Sequence, residues 1–469
     1  MRKIFTIILA MFTIYANAAI SLPSIISDNM VLQQKSQARL WGKAAPGETV
    51  TVSASWSKHT AKTVADGSGK WSIKIATPSC SQHHSITFSS AAGSIVVRNV
   101  MIGEVWLCSG QSNMEFAVGK QNDDWQTGMN TFDAEMADAD YPMIHLFQVD
   151  KTLSVDTARD DCEGKWVVCD ASNIYNFSAI AFVVGRELYK HLHRPIGIIN
   201  SSWGGSHAES WTKRDVMLAD TLYAPILSRF SAENMKPKQW LHKVPGALWN
   251  SMISPILGYT VKGTIWYQGE SNAFRASDYP RVFTNMLKSW RKEWQQDRLP
   301  FYCMMAAPHS TQPAELRMAQ MDTWLHCGIK DMGMATVIDH GDSLDLHPRD
   351  KLIAGKRLAA WALAKEYRLP VACEGPLYKS MTIDGDKIII RFTHAKGLHI
   401  SGTAVHDLQV AAADGIYHPA TATISGTTMI VSSPDVKHPV AVRYCQSPYC
   451  VGNIYNSDGL PAYPFDTKH

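Results

Sequence analysis

The sequence predicts an α/β protein, with a parallel sheet covered by helices on both faces and an all-β stretch on either side. Three observations predict it. Short runs alternating apolar with polar residues fill the chain to about residue 100. From residue 101, five almost wholly apolar runs are separated by segments of helical period. Alternation then returns after about residue 370. Continuous apolar strands with helices between them belong to a parallel sheet buried on both faces. The 469 residues, 45% apolar and 19% charged, have the composition of a folded globular protein with room for several domains.

Taken in order, Arg2 and Lys3 precede the apolar run Ile4 to Ile14, and Ala16-Asn-Ala18 supplies a small-x-small cleavage pattern. Residues 1–18 read as a cleaved secretory signal, because the run is too short to span a bilayer. The expected location is periplasmic or secreted, with no membrane attachment after cleavage. From 19 to 100, runs such as Ala38-Arg-Leu-Trp-Gly42 and Lys70-Trp-Ser-Ile-Lys-Ile75 are divided by turn-formers such as Ala45-Pro-Gly-Glu48, the pattern of a small antiparallel sandwich.

Residues 101–370 hold the five apolar runs, at Glu104–Cys108, Pro195–Asn200, Gly263–Tyr267, Phe301–Ala306 and Gly333–Ile338. The segments Ala179 to Leu192, Tyr279 to Trp294 and Pro348 to Tyr367 carry apolar residues at three- and four-residue steps and read as helices. Residues 371–469 return to strands, as in Lys387-Ile-Ile-Ile-Arg-Phe392.

The formal net charge is +3, of which Arg2 and Lys3 supply two, and the other cations are dispersed among as many carboxylates. No one-sided basic surface for nucleic acid is encoded. Among nine cysteines there is no CxxC pair, so a zinc or redox motif has little support. Cys162 with Cys169, and Cys445 with Cys450, are close enough in sequence to close small loops in an oxidising compartment.

Open parallel sheets bind ligands beyond the carboxyl ends of their strands. There the chain is polar: Cys108-Ser-Gly-Gln-Ser-Asn-Met114, Ser201-Ser-Trp-Gly-Gly-Ser206, Gln268-Gly-Glu-Ser-Asn272, and Asp339-His-Gly-Asp-Ser-Leu-Asp-Leu-His-Pro348. A serine, a glycine pair, an amide and an Asp/His cluster are the parts of a serine esterase. The hydroxyl needs an imidazole to take its proton, a carboxylate to orient that imidazole, and N–H donors for the oxyanion. Ser112 is the candidate nucleophile, one turn beyond a strand, with Gly110 permitting the bend. His347 is the candidate base and Asp345 the orienting acid, with Asp342 and Asp339 as competitors. The amides beside Ser112 and at Gly205 are candidate oxyanion donors. Gly269-Glu-Ser-Asn-Ala273 resembles a degraded Gly-x-Ser-x-Gly elbow that would favour Ser271, but Ala replaces its last Gly. Trp203, Trp211 and Trp266 are candidate sugar platforms, and Arg275 and Arg281 candidate forks for a substrate carboxylate.

Gly110-Gln-Ser-Asn-Met114, Trp266-Tyr-Gln-Gly-Glu-Ser-Asn272, Asp345-Leu-His-Pro348 with Lys351, Gly355 and Arg357-Leu-Ala, and the closing Tyr455-Asn, Gly459-Leu-Pro-Ala and Pro464-Phe occur in order along the chain. With these blocks the sequence resembles the sialate O-acetylesterase family of SGNH-type hydrolases. The resemblance implies a flavodoxin-like hydrolase domain flanked by β-domains and a cofactor-free, metal-independent serine esterase. Its substrate would be an O-acetylated sugar or glycan, a sialic acid or, as in some relatives, acetylated xylan. It also implies Ser112 and His347 as catalytic residues, Gln268 as an oxyanion donor with the Ser112 and Gly205 amides, and Gln111, Asn113, Trp203, Glu270 and Asn272 around the substrate. The chain departs from the Asp-x-x-His spacing common in these hydrolases: position 344 is Leu, and Asp345 stands two residues before His347. A non-catalytic secreted carbohydrate-binding protein is the alternative from another class.

Overall fold

The computed structural model describes residues 19–230 and 240–468; the expected signal at 1–18 lies outside them. Six strands precede the central sheet: β1 (Val31–Gln33), β2 (Gln37–Lys43), β3 (Thr49–Ala54), β4 (Thr60–Val64), β5 (Lys70–Ala76) and β6 (Ser81–Ser90). Strand β7 (Gly93–Gly110) then runs through the boundary expected near residue 100. Its first half pairs with β6 and β1, and its second half lies in the middle of the central sheet. One strand thus serves two sheets and ends at the candidate nucleophile.

The central sheet adds β8 (Tyr141–Gln148), β9 (Trp166–Cys169), β10 (Ile196–Ser202), β11 (Gly263–Tyr267), β12 (Phe301–Met304) and β13 (Met332–Ala335), in the order β13-β12-β11-β7-β10-β8-β9. All neighbours pair parallel except β9, which runs antiparallel to β8. The five apolar runs are five of these strands. The sixth parallel strand, β8, carries Pro142 near its start and the buried His145 within it, which break the apolar run that marks the others.

Alternate residues of the sheet enter two cores. Trp106, Cys108, Ile198 and Tyr267 pack with Val183 of helix Ala179–Leu192 and Leu358 of helix Lys351–Lys365. Val105, Leu107, Ile199 and Trp266 pack with Phe283 and Trp290 of helix Tyr279–Trp294. The last helix starts three residues later than its period suggests, because Asp350 is its N-cap and accepts from the Ile353 amide at 3.2 Å.

The C-terminal stretch forms two four-stranded antiparallel sheets around their own apolar cluster, including Ile388, Ile390, Val410, Met429 and Val442. Arg317, buried on helix Ala314–His326, ties this unit to the central one by donating to the carbonyls of Pro448 (3.0 Å) and Ser447 (2.5 Å). All nine cysteines are free thiols. Cys162 and Cys169 lie in different cores and do not form the small-loop pair their spacing suggested. Cys445 and Cys450 lie side by side with Asp407, their ligand atoms within 4.8 Å of one another. No helix among the described residues is long and apolar enough to cross a membrane.

Candidate active site

β7 delivers the nucleophile through a constrained turn. Gly110 has φ +143°, and a Cβ there would stand 2.0 Å from the Tyr267 carbonyl oxygen, so only glycine allows the close approach of β11. Gln111 then enters a one-turn helix, Ser112–Glu115. At the first position of that turn the Ser112 amide has no intrahelical acceptor.

His347 arrives from the loop after β13, and its Nε2 lies 2.8 Å from Ser112 Oγ. Burial first, and then the Lys351 charge, hold its pKa down at about 4, so the ring is neutral at pH 7 and able to accept a proton. Trp125 covers the imidazole, with ring centroids 4.7 Å apart.

Asp345 is the only acid paired with His347 among the described residues, at 3.7 Å between Oδ1 and Nδ1. That is longer than a hydrogen bond. The same Oδ1 accepts from the His347 amide at 2.8 Å, so the carboxylate chiefly shapes the loop. The competitors are engaged elsewhere: Asp339 grips Arg357 through two hydrogen bonds, and Asp342 receives the amides of Leu344 and Asp345. Asp345→Asn, which keeps an acceptor for the His347 amide, is expected to lower kcat/KM by less than about tenfold, equivalent to ~1.4 kcal/mol. Asp345→Ala removes that acceptor and is expected to cost more; steady-state kinetics of the two variants checks the order.

The Gly204-Gly205 turn closes the other side. Glu115 Oε2 accepts from the Gly204 amide, and a Cβ on Gly204 would come within 3.3 Å of Ser112 Cβ. The Gly205 amide has no hydrogen-bond partner among the described residues. Gln268, expected to face the oxyanion, does not. It is fully buried, and its Nε2 donates to the Ser206 carbonyl (3.2 Å) and to Asn272 Oδ1 (2.7 Å). With both amide hydrogens spent, Gln268 braces the glycine turn. Two residues expected around the substrate are likewise internal. Asn272 receives the Ala208 amide and donates to Glu209, and Asn113 donates to Glu270 Oε1 (2.8 Å) and the Leu346 carbonyl (3.2 Å).

Gln111, Trp203 and Glu270 do line the cavity, whose volume is about 490 Å³. Ser271 also lines it, and among the described residues no imidazole is bonded to it. Of the tryptophans, Trp203 stacks on His242 with ring centroids 5.5 Å apart, whereas Trp211 and Trp266 are core residues. Arg275 pairs with the buried Glu209 and Arg281 with Asp220, and neither lines the cavity. Sequence reasoning missed Glu115, Trp125, Lys151 and Gln312, all of which line it. Gln312 lies in the loop after β12, and its Oε1 is buried without a partner among the described residues.

Behind the site Lys351, fully buried, donates from Nζ to Asn113 Oδ1 at 2.6 Å and lies 4.6 Å from the centroid of the Phe116 ring. Burial lowers its pKa to about 7, and burial raises that of Glu270. Protonated Lys351 disfavours imidazolium. The acid limb of kcat/KM is therefore expected near pH 4, with activity falling as pH drops and His347 gains a proton. In Lys351→Met that limb is expected to move up toward the ordinary histidine range. A pH–rate profile of both proteins measures it.

Residues 102–363 match the family described as carbohydrate esterase, sialic acid-specific acetylesterase. The chain is 28% identical to the mouse sialate O-acetylesterase, covering 94% of this chain and 93% of that one, and 26% identical to the human sialate O-acetylesterase, covering 94% and 91%. The crystal structure of a carbohydrate acetylesterase from Xanthomonas citri superposes with a TM-score of 0.85 at 31% identity, over 96% of this chain and 99% of that one. By the matched span and by this near-complete likeness in sequence and fold, the chain belongs to the carbohydrate esterase family of sialic acid-specific acetylesterases.

Proposed function

We propose that this protein hydrolyses O-acetyl esters of sialic acids, with Ser112 as nucleophile and His347 as general base. The observation that carries the reading is the 2.8 Å contact between Ser112 Oγ and a neutral, buried His347 at the floor of an open cavity. His347 Nε2 takes the Ser112 proton as Oγ attacks the acetyl carbonyl. The tetrahedral oxyanion is held by the amides of Ser112 and Gly205. The imidazolium returns the proton to the departing sugar oxygen, leaving Ser112 acetylated. A water deprotonated by the same ring then attacks, and acetate leaves. The esterase unit is residues 101–370, between β-domains at 19–100 and 371–469, and residues 1–18 direct export to the periplasm or beyond.

The names of the mouse and human relatives support the sialate reading. A neutral acetylated sugar is the second reading. Glu115 and Asp123 line the cavity, and its cation, Lys151, is already paired with Glu115, a lining that gives a substrate carboxylate little attraction. Acetate release from O-acetylated sialic acid and from acetylated xylo-oligosaccharide, side by side, decides between them. Faster turnover of the sialic acid supports the first reading, and preference for the xylan fragment replaces the substrate while leaving the chemistry.

A further inference from the structure

A second cleft, of about 710 Å³, lies where β2 and β5 meet the loops at residues 159–161 and 254–257, and it shares no lining residue with the active-site cavity. Two indoles belong to it. Trp41 is half-buried on one wall. Trp71 is 3% exposed at the floor, and its Nε1 is buried with no hydrogen-bond partner. Gly42 passes directly over that ring, where a Cβ would sit 3.1 Å from Cε2, the atom bonded to the unpaired N–H. Trp71 thus forms the floor beneath Gly42, and Trp41 is the indole whose face is open to the cleft.

The charges in the cleft are unevenly matched. Lys43 and Lys70 both pair with Asp160, at 3.1 and 2.6 Å. Asp161 is occupied by the amides of Ser24 and Cys162, and Asp66 by those of Ser68 and Lys70. The two guanidinium groups are left over. Among the described residues Arg39 donates only from Nε, to Ser72 Oγ at 2.9 Å, and its Cζ lies 5.7 Å from the centroid of the Trp41 ring. Among the described residues Arg159 has one ion pair, a loose one 3.9 Å from the exposed Glu163. An aromatic plane beside free guanidinium N–H groups suits a sugar ring bearing a carboxylate, because the ring covers the apolar face while the forked donors meet the two oxygens.

We propose that this cleft is a second glycan-binding site, which takes a carboxylate-bearing pyranose with its ring on Trp41 and its carboxylate on Arg39 and Arg159. The site holds an acidic glycan on the enzyme apart from the acetyl group being cleaved, and it does not depend on which ester Ser112 attacks. Sialic acids and uronic acids share this chemistry, so both are probes.

The test is titration calorimetry of the full-length protein with sialyllactose, a glucuronic-acid-bearing xylotriose, and their neutral counterparts lactose and xylotriose. The expected result is binding of at least one acidic ligand and not of its neutral counterpart, lost in Arg39→Met and in Trp41→Ala but kept in Trp203→Ala. Turnover of 4-nitrophenyl acetate reports that the two cleft variants are folded, circular dichroism does so for Trp203→Ala, and Arg39→Met leaves the Trp41 packing in place should Trp41→Ala fail its control. Absence of binding for both acidic ligands at millimolar concentration overturns the proposal. So does binding that survives both cleft variants and disappears in Trp203→Ala, which locates the ligand in the active-site cavity alone. If sialyllactose binds the cleft while O-acetylated sialic acid releases no acetate, the proposed substrate falls and the cleft stands.

Discussion

Ser112→Ala is expected to lower acetate release by about 10⁴-fold or more, because the attacking oxygen is gone and only binding and the oxyanion amides remain. His347→Ala is expected to fall nearly as far, since His347 is the one imidazole among the described residues bonded to Ser112 Oγ. The double variant should be little worse than either single one, as members of one catalytic unit do not contribute additively. Ser112 is 6% exposed, and its helix packs inward through the buried Met114 and is held to the Gly204 amide by Glu115, so loss of the hydroxyl leaves the scaffold intact. Circular dichroism matching wild type, with the collapsed rate, is the expected pair of readings. Retained activity in Ser112→Ala would return attention to Ser271 on the cavity edge.

Gly110→Ala is expected to cost more than about 4 kcal/mol of stability, a magnitude reserved for a few mechanisms of which backbone collision is one. The new Cβ would lie 2.0 Å from the Tyr267 oxygen and 2.7 Å from its carbonyl carbon, both main-chain atoms of the neighbouring strand. Neither can swing aside as a side chain would. The φ of +143° adds a strain that alanine cannot relieve without moving Gln111 and Ser112. Chemical denaturation should show a large loss of stability, or the variant should fail to accumulate as folded protein. A variant as stable as wild type would contradict the close approach of β7 and β11.

These two sites also show what the chain makes legible. The apolar runs of β7, β10, β11, β12 and β13 are long and uninterrupted because both faces are buried, so their parallel pairing could be read directly. β8 escaped because a Pro and a His bonded through Nδ1 to the distant Asn29 carbonyl interrupt its run, and contacts of that kind leave no periodic signal. Ser112 and His347 were legible because the strand-end rule fixes where reactive side chains must lie. The direction in which Gln268, Asn113 and Asn272 point was not, since an amide facing a substrate and one facing a buried carbonyl have the same sequence. Trp125 and Lys151 come from loops whose path is set by long-range packing: Lys151 pairs with Glu115 at the end of the Ser112 helix, and Trp125 reaches His347 across more than two hundred residues.

The most direct test of the account is to find which side chain forms the covalent bond with an acyl-mimicking reagent. An alkyl fluorophosphonate reacts with a serine activated by a neighbouring imidazole, and peptide mass spectrometry locates the adduct. The account predicts modification of Ser112 alone, absent in Ser112→Ala and strongly slowed in His347→Ala or at a pH below the His347 pKa of about 4. Modification of Ser271, or an unmodified and still active Ser112, would contradict it.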